Sequence, residues 1–252
     1  MMETVRVRDL VLGDGTVKIC VPVIAHTRDE LVRSLETVEE SPFDMLEFRA
    51  DFYFEKEEEA LAMIRRTAGN RPVLYTIRTS EEGGEIGISD ETYRERNLAA
   101  APFVDLADIQ YARLHMEGGN PFPGSDLPSK LREKGVKVVL SWHDFAKTPK
   151  KDVLVQKMMK MQKEECDLIK IAVMPNSRED VLSLMGASVE MAERKAVRPF
   201  ITMAMGTLGR VTRAACALTG SCVSFGTAGI MSAPGQISAG MLRQMLRVLC
   251  ID

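Results

Sequence analysis

The stretch from Cys166 to Pro175 reads CDLIKIAVMP, and Lys170 is its one misfit among Leu168, Ile169, Ile171, Ala172 and Val173. At the edge of a sheet such a lysine would snorkel to solvent. In a central strand there is no edge. Side chains two apart share a face, so Leu168, Lys170 and Ala172 point the same way. If that way is inward, burial favours the neutral form of the amine. A neutral lysine amine attacks ketones and aldehydes and forms a Schiff base. The small Ala172, nearer the strand end, leaves room for a substrate.

His143, in SWHDF, ends another apolar run. A loop histidine is the plainer reading. From a neighbouring strand, however, it could reach a group bound at Lys170, and an imidazole with an ordinary pKa of about 6.5 moves protons near neutrality. The other two histidines, His26 and His115, fall in loop-like segments. No HExxH or other ligand spacing occurs, so no metal site is expected.

Further polar residues end other apolar runs. Glu47 and Arg49 stand two apart, as do Met203 and Met205. Arg78 is followed by TSEEGGE, and Asp105 and Asp108 lie in one run. One charged strand end is usually a solvated rim. Several converging on one mouth suggest a site. Arg213, in GRVTR, is expected to start a helix, where cationic charge and free N–H groups favour a carboxylate or phosphate. The segment Ser232–Ser238, SAPGQIS, has the composition of a mobile lid, with Ser and Gln as donors to an anion.

Elements must bring these residues together. β-rich runs recur at Lys18–Ile24, Asp44–Arg49, Pro72–Arg78, Phe103–Ile109, Val136–Trp142, Asp167–Val173, Pro199–Met205 and Cys222–Phe225. Several are nearly continuous in apolar residues, as strands covered on both faces must be. Helical spacing fills Arg28–Glu39, Glu55–Ala68, Asp152–Gln162 and Arg178–Arg194. Eight strand–helix units favour a closed (β/α)8 barrel over residues 1–252, with the site at the C-terminal strand ends. An open doubly wound sheet is the alternative, but the GxGxxG turn after its first strand is missing. Val5–Ile19 reads as a hairpin around Gly13-Asp14-Gly15 that could cap the barrel bottom. Glu117–Pro128 reads as a loop.

Composition narrows the class. The chain has 252 residues, 27% charged, with a net charge of −3. There is no basic stripe with interleaved aromatics, so nucleic acid is not an expected partner. No apolar run is long enough to span a bilayer, and the N-terminus lacks a signal-peptide core. Five scattered cysteines with no CxxC pair suggest reduced thiols in a cytosolic protein. Most of the sixteen methionines are expected to fill core.

Taken in order, EFRAD (Glu47–Asp51), RTSEEGG (Arg78–Gly84), SWHDF (Ser141–Phe145), IKIAVMP (Ile169–Pro175), MAMGTLGRVTR (Met203–Arg213), SFGTAG (Ser224–Gly229) and SAPGQIS resemble type I 3-dehydroquinate dehydratase. The resemblance runs from about Lys18 to Ile237. It implies a TIM barrel and the cofactor-free dehydration of 3-dehydroquinate to 3-dehydroshikimate. Lys170 matches the Schiff-base lysine, His143 the general acid/base and Glu82 an acid that assists the proton transfers. Glu47, Arg49 and Arg78 match residues that hold the substrate hydroxyls and order the pocket. Arg213, Ser232 and Gln236 match a carboxylate clamp. Met203, Met205, Phe145, Phe225 and Ala233 match apolar walls, and Asp108 an acidic partner of the histidine. A homodimer is also implied. Pro22, Gln110 and Trp142 depart from the usual pattern beside these motifs. Two other readings remain: a Schiff-base aldolase on the same barrel, or a barrel that binds without catalysing.

Overall fold

A computed structural model describes residues 2–114, 126–229 and 235–249. The chain begins with an antiparallel hairpin, β1 (Val5–Val7) and β2 (Leu10–Leu12). The barrel strands follow: β3 (Lys18–Val23), β4 (Met45–Arg49), β5 (Val73–Thr76), β6 (Leu106–Gln110), β7 (Lys137–Asp144), β8 (Leu168–Val173), β9 (Phe200–Ala204) and β10 (Val223–Thr227). A two-residue strand, β11 (Ile237–Ser238), adds to β10. Every neighbouring pair from β3 to β10 is parallel. The ring closes where the Cys222 N–H donates to the Phe200 carbonyl at 2.9 Å and Ser221 Oγ accepts from the Thr202 N–H at 3.1 Å. The fold is a (β/α)8 TIM barrel.

The strands are buried on both faces, as their apolar runs require; all six residues of β3 and of β8 are buried. Outside lie helices α1 (Arg28–Glu39), α2 (Glu57–Ala68), α3 (Asp90–Ala100), α4 (Leu127–Glu133), α5 (Lys151–Met161), α6 (Arg178–Glu190), α7 (Arg210–Ala214), α8 (Cys216–Thr219) and α9 (Ala239–Leu249). Thr27 and Ser89 cap α1 and α3 through their hydroxyls, and Ser177 with Asp180 forms a capping box on α6. Among the described residues no helix is long and apolar enough to cross a membrane.

Inward side chains stack in layers. Cys20, Met45, Leu74, Leu106, Val139, Leu168, Ile201 and Val223 fill the lower barrel, and Val7 and Leu12 of the hairpin pack into the same cluster from below. Burying a side chain of that size stabilises by about 1.5–3 kcal/mol, so the hairpin is a plug held by apolar contact. Lys18, 6% exposed, bonds Asp14 at 2.9 Å beside it.

Three expectations need correcting. The hairpin does not turn at Gly13-Asp14-Gly15. It turns at Arg8-Asp9, with Val7 opposite Leu10 and Arg8 at a φ of +52°; the glycines instead redirect the chain from the plug into β3. The fourth barrel strand starts at Leu106 rather than Phe103, because Phe103 closes the turn after α3 by bonding the Ala100 carbonyl. The expected loop ends one residue before Leu127, where α4 begins with Pro128 at its first turn, a position that asks no N–H of proline.

Candidate active site

Strand period and register aim the upper inward side chains into one cavity. Lys170 on β8 lies opposite Ser141 on β7, and His143 opposite Ala172. The cavity encloses about 510 Å³ counting its open mouth. Glu47, Arg49, Thr76, Arg78, Glu82, His143 and Lys170 line its charged side. Met203, Met205, Phe225, Ala172 and Phe145 make its apolar walls, with Arg213 and Gln236 across from the charged side chains. Gln236 gets there because β11 pairs with the end of β10.

Lys170 is 5% exposed. Its Nζ lies 3.0 Å from Asp108 Oδ2 and 3.7 Å from Glu47 Oε1, and 4.6 Å from the centre of the Phe225 ring. The expectation of an amine among apolar neighbours is therefore corrected: two carboxylates face it. Thr76 Oγ1 donates to Glu47 Oε1 at 2.9 Å, which fixes that carboxylate beside the amine.

His143 Nδ1 lies 2.8 Å from Glu82 Oε2. The acidic partner of the histidine is thus Glu82, not Asp108. Asp108 is fully buried, and its Oδ1 takes Arg78 Nη2 at 2.8 Å and the Ser141 hydroxyl. Burial opposes its charge, but Arg78 and then Lys170 outweigh burial and hold the carboxyl well below the ordinary range. Arg78 Nη1 reaches Glu82 Oε2 at 3.2 Å and Ser141 Oγ at 3.0 Å. Its bonds go to the protein, so it orders the pocket.

Burial pushes the Glu82 carboxyl up to about 7 despite the pull of Arg78. Burial, with the charges of Arg78 and Lys170, holds the His143 imidazole well below 6.5. Arg49 is braced by Asp51, with Nε 2.9 Å from Oδ1 and Nη2 2.7 Å from Oδ2, and its guanidinium lies 4.7 Å from the Phe52 ring centre.

Arg213 is 1% exposed. Its Nη1 donates to the Phe225 carbonyl at 3.3 Å, while Nε and Nη2 are buried with no partner among the described residues. Burial pushes the guanidinium down to about 10. It sits in the last turn of the five-residue α7, not at a helix start, so its charge rather than a helix N-terminus is what it offers. An unpaired buried cation beside a cavity is an anion receptor in waiting.

Asp105 does not join the site. It lies at the barrel bottom between Arg8 of the plug, at 2.5 Å, and Arg65 of α2, at 2.7 Å. Ser232 and Ala233 lie outside the described residues. The departures resolve simply. Gln110 braces the turn carrying Glu82, accepting from the Thr79 N–H at 3.0 Å and donating to its hydroxyl at 3.1 Å. Trp142 points out of the barrel beneath the Lys157 ammonium, 4.1 Å away. Pro22 lines a separate cleft beside α1. Thr76 and Ser141 escaped the sequence reading, although each stands two residues before a named site residue and so shares its face. Among the described residues no group of three or more His, Cys, Asp or Glu side chains is placed to share a metal ion.

The chain resembles known proteins over nearly its whole length. The 3-dehydroquinate dehydratase of Syntrophotalea carbinolica is 44% identical, over 98% of this chain and 98% of its own. The crystal structure of the enzyme so named from Geobacillus kaustophilus superposes with a TM-score of 0.89 at 36% identity, covering 98% of this chain and 96% of that one. The type I enzyme of Clostridium difficile, solved with covalently modified comenic acid, gives a TM-score of 0.88 at 35% identity over 98% of both chains. The family profile described as type I 3-dehydroquinase covers residues 19–252, and the chain belongs to that family.

Proposed function

We propose that this enzyme, a 3-dehydroquinate dehydratase of the hydro-lyase class, works through a Schiff base on Lys170 with His143 moving the protons. The observation that carries this reading is the placement of Lys170 and His143 on adjacent strands, both opening into one cavity.

Lys170 lends one ammonium proton to His143 and adds to the C3 ketone of 3-dehydroquinate; the lent proton then leaves with the carbinol oxygen as water, and a protonated imine remains. That imine draws electrons from C2 and acidifies its hydrogen. With Nδ1–H donated to Glu82 Oε2, the other ring nitrogen of His143 carries the lone pair that takes the C2 proton. The enamine then expels the C1 hydroxyl, which leaves as water with the proton returned by His143. A further water hydrolyses the imine and frees 3-dehydroshikimate and Lys170. A Glu82 carboxyl titrating near 7 can exchange a proton with the imidazole at each stage. Lys170 supplies the electron sink, so the sequence of steps asks for no cofactor.

Arg213 takes the substrate carboxylate, which meets its unpartnered Nε and Nη2. Gln236 supports that grip. Glu47, Arg49 and the ordering Arg78 face the ring hydroxyls, while Met203, Met205 and Phe225 wall the ring. A homodimer in the cytosol goes with this reading, and the four described cysteines, all buried and free, suit a reducing compartment.

Borohydride reduction in the presence of 3-dehydroquinate tests the proposal. Mass spectrometry of the digested protein is expected to find the added mass on Lys170. An unmodified Lys170, or a cleaved carbon chain among the products, overturns it.

A further inference from the structure

The ring of Phe145 lies over His143, with centroids 6.4 Å apart and planes 25° apart. Its far edge rests on Gly83, the residue after Glu82. A Cβ built on Gly83 would come within 2.4 Å of Phe145 Cε2, and Gly83 adopts a φ of +78°. Phe145 itself is 39% exposed, yet the side chains beneath it are 9% (His143) and 6% (Glu82) exposed. Glu82 Oε1 is buried there with no hydrogen-bond partner among the described residues.

We propose that Phe145 is a roof that keeps water off the Glu82–His143 pair, and that position 83 is bare because the ring must sit on it. Beneath a dry roof the uncharged forms of both groups are favoured over a carboxylate–imidazolium pair. The proton that would make an imidazolium therefore rests on Glu82 at Oε1, and the imidazole stays neutral with its Nδ1–H toward Oε2. The directions in which burial pushes the two groups agree with this. The charges facing the pair are Arg78, Asp108, Lys170, Arg49 and, from α5, Lys157. None of them is altered by removing the ring, so a change in the pair's protonation would report water rather than a lost ion pair.

The inference rests on the reading of His143 as the proton carrier, but its test reads ligand-free protein and can fail independently of the Schiff base. The imidazole signals of His143 are followed by NMR against pH and assigned by their loss in His143→Gln. In the native protein the ring is expected to stay neutral well below pH 6.5. In Phe145→Ala its midpoint is expected to rise by about one unit or more as water reaches the pair. Phe145→Leu, which keeps an apolar cover, retains the native titration. Gly83→Ala, which unseats the ring, follows Phe145→Ala; if its left-handed backbone prevents folding, the Phe145 variants decide alone. A His143 titration that is the same in Phe145→Ala as in the native protein overturns the proposal, whatever becomes of turnover. So does equal displacement in Phe145→Leu and Phe145→Ala.

Discussion

Arg78 and Asp108 meet inside the barrel with Nη2 2.8 Å from Oδ1, their side chains 5% and 0% exposed. Around that contact runs a chain of charges: Lys170 to Asp108, Asp108 to Arg78, Arg78 to Glu82, Glu82 to His143. The amine and the imidazole are thus joined through protein groups as well as across the cavity. A buried charge removed anywhere in the chain leaves its neighbour uncompensated, and the cost depends on which link is cut.

Asp108 is the link whose loss costs most. Asp108→Ala leaves Arg78 and Lys170 facing each other without their shared counter-ion, and is expected to destabilise the fold by about 3–5 kcal/mol at neutral pH. The carboxyl is held below its ordinary 3.8 in the folded state. Its contribution is therefore complete above that value and is lost as pH falls through the folded-state value. Urea unfolding should give a large gap between native and variant at pH 7 that narrows in acid. A gap independent of pH would contradict the ion pairing.

Lys170→Ala should separate chemistry from folding. Asp108 keeps Arg78 and Ser141 when the amine is gone, so the circular dichroism spectrum is expected to stay native. Turnover should fall by more than about 1,000-fold, since the covalent route is lost. Turnover close to native would remove Lys170 from the mechanism.

Glu82→Gln tests the raised carboxyl by stability alone. In the folded state Glu82 holds its proton up to about 7, against 4.5 when free. As pH rises from about 4.5 through 7, the unfolded chain releases that proton before the folded one does, so the native protein loses stability across this window. Glutamine has nothing to release. Relative to Glu82→Gln, the native protein should lose about 2–3 kcal/mol between pH 4.5 and pH 8. Denaturation curves that keep a constant offset across the window would place Glu82 in water-like surroundings.

The sequence made Lys170 visible because one polar residue in a buried run breaks a strong pattern. The pairs Glu47/Arg49 and Met203/Met205 followed from strand periodicity, which fixes a shared face without any knowledge of partners. Asp105 and Asp108 differ instead by height: Asp105 precedes the first residue of β6 and ends at the barrel bottom with Arg8 and Arg65. What periodicity does not supply is the pairing between strands. Whether Asp108 meets His143 or Lys170 depends on the stagger of β6, β7 and β8, which is set by whole-barrel closure. The bare backbone at Gly83 was equally hidden, because the atom it must clear belongs to Phe145, far along the chain. The plug misled for a local reason: glycines at 13 and 15 do take positive φ, but the tight hairpin turn is made by Arg8.

Arg213 offers a test in which stability and function move in opposite directions. Its guanidinium is buried, and Nε and Nη2 have no partner among the described residues, so among those residues its charge is uncompensated. Replacing such a group with an apolar side chain of similar length removes the desolvation cost without opening a cavity. Arg213→Met is therefore expected to stabilise the ligand-free protein by about 1–3 kcal/mol, read as a higher unfolding midpoint in urea. The same change removes the charge that meets the substrate carboxylate. Losing hydrogen bonds to a charged group is worth about 1.5–3 kcal/mol, so KM should rise by about 10- to 150-fold with kcat far less affected. The carboxylate lies away from the bond that breaks, which is why capture rather than the chemical step should suffer. A destabilised variant would mean that the guanidinium is paired within the fold after all, and an unchanged KM would mean that the substrate carboxylate is held elsewhere.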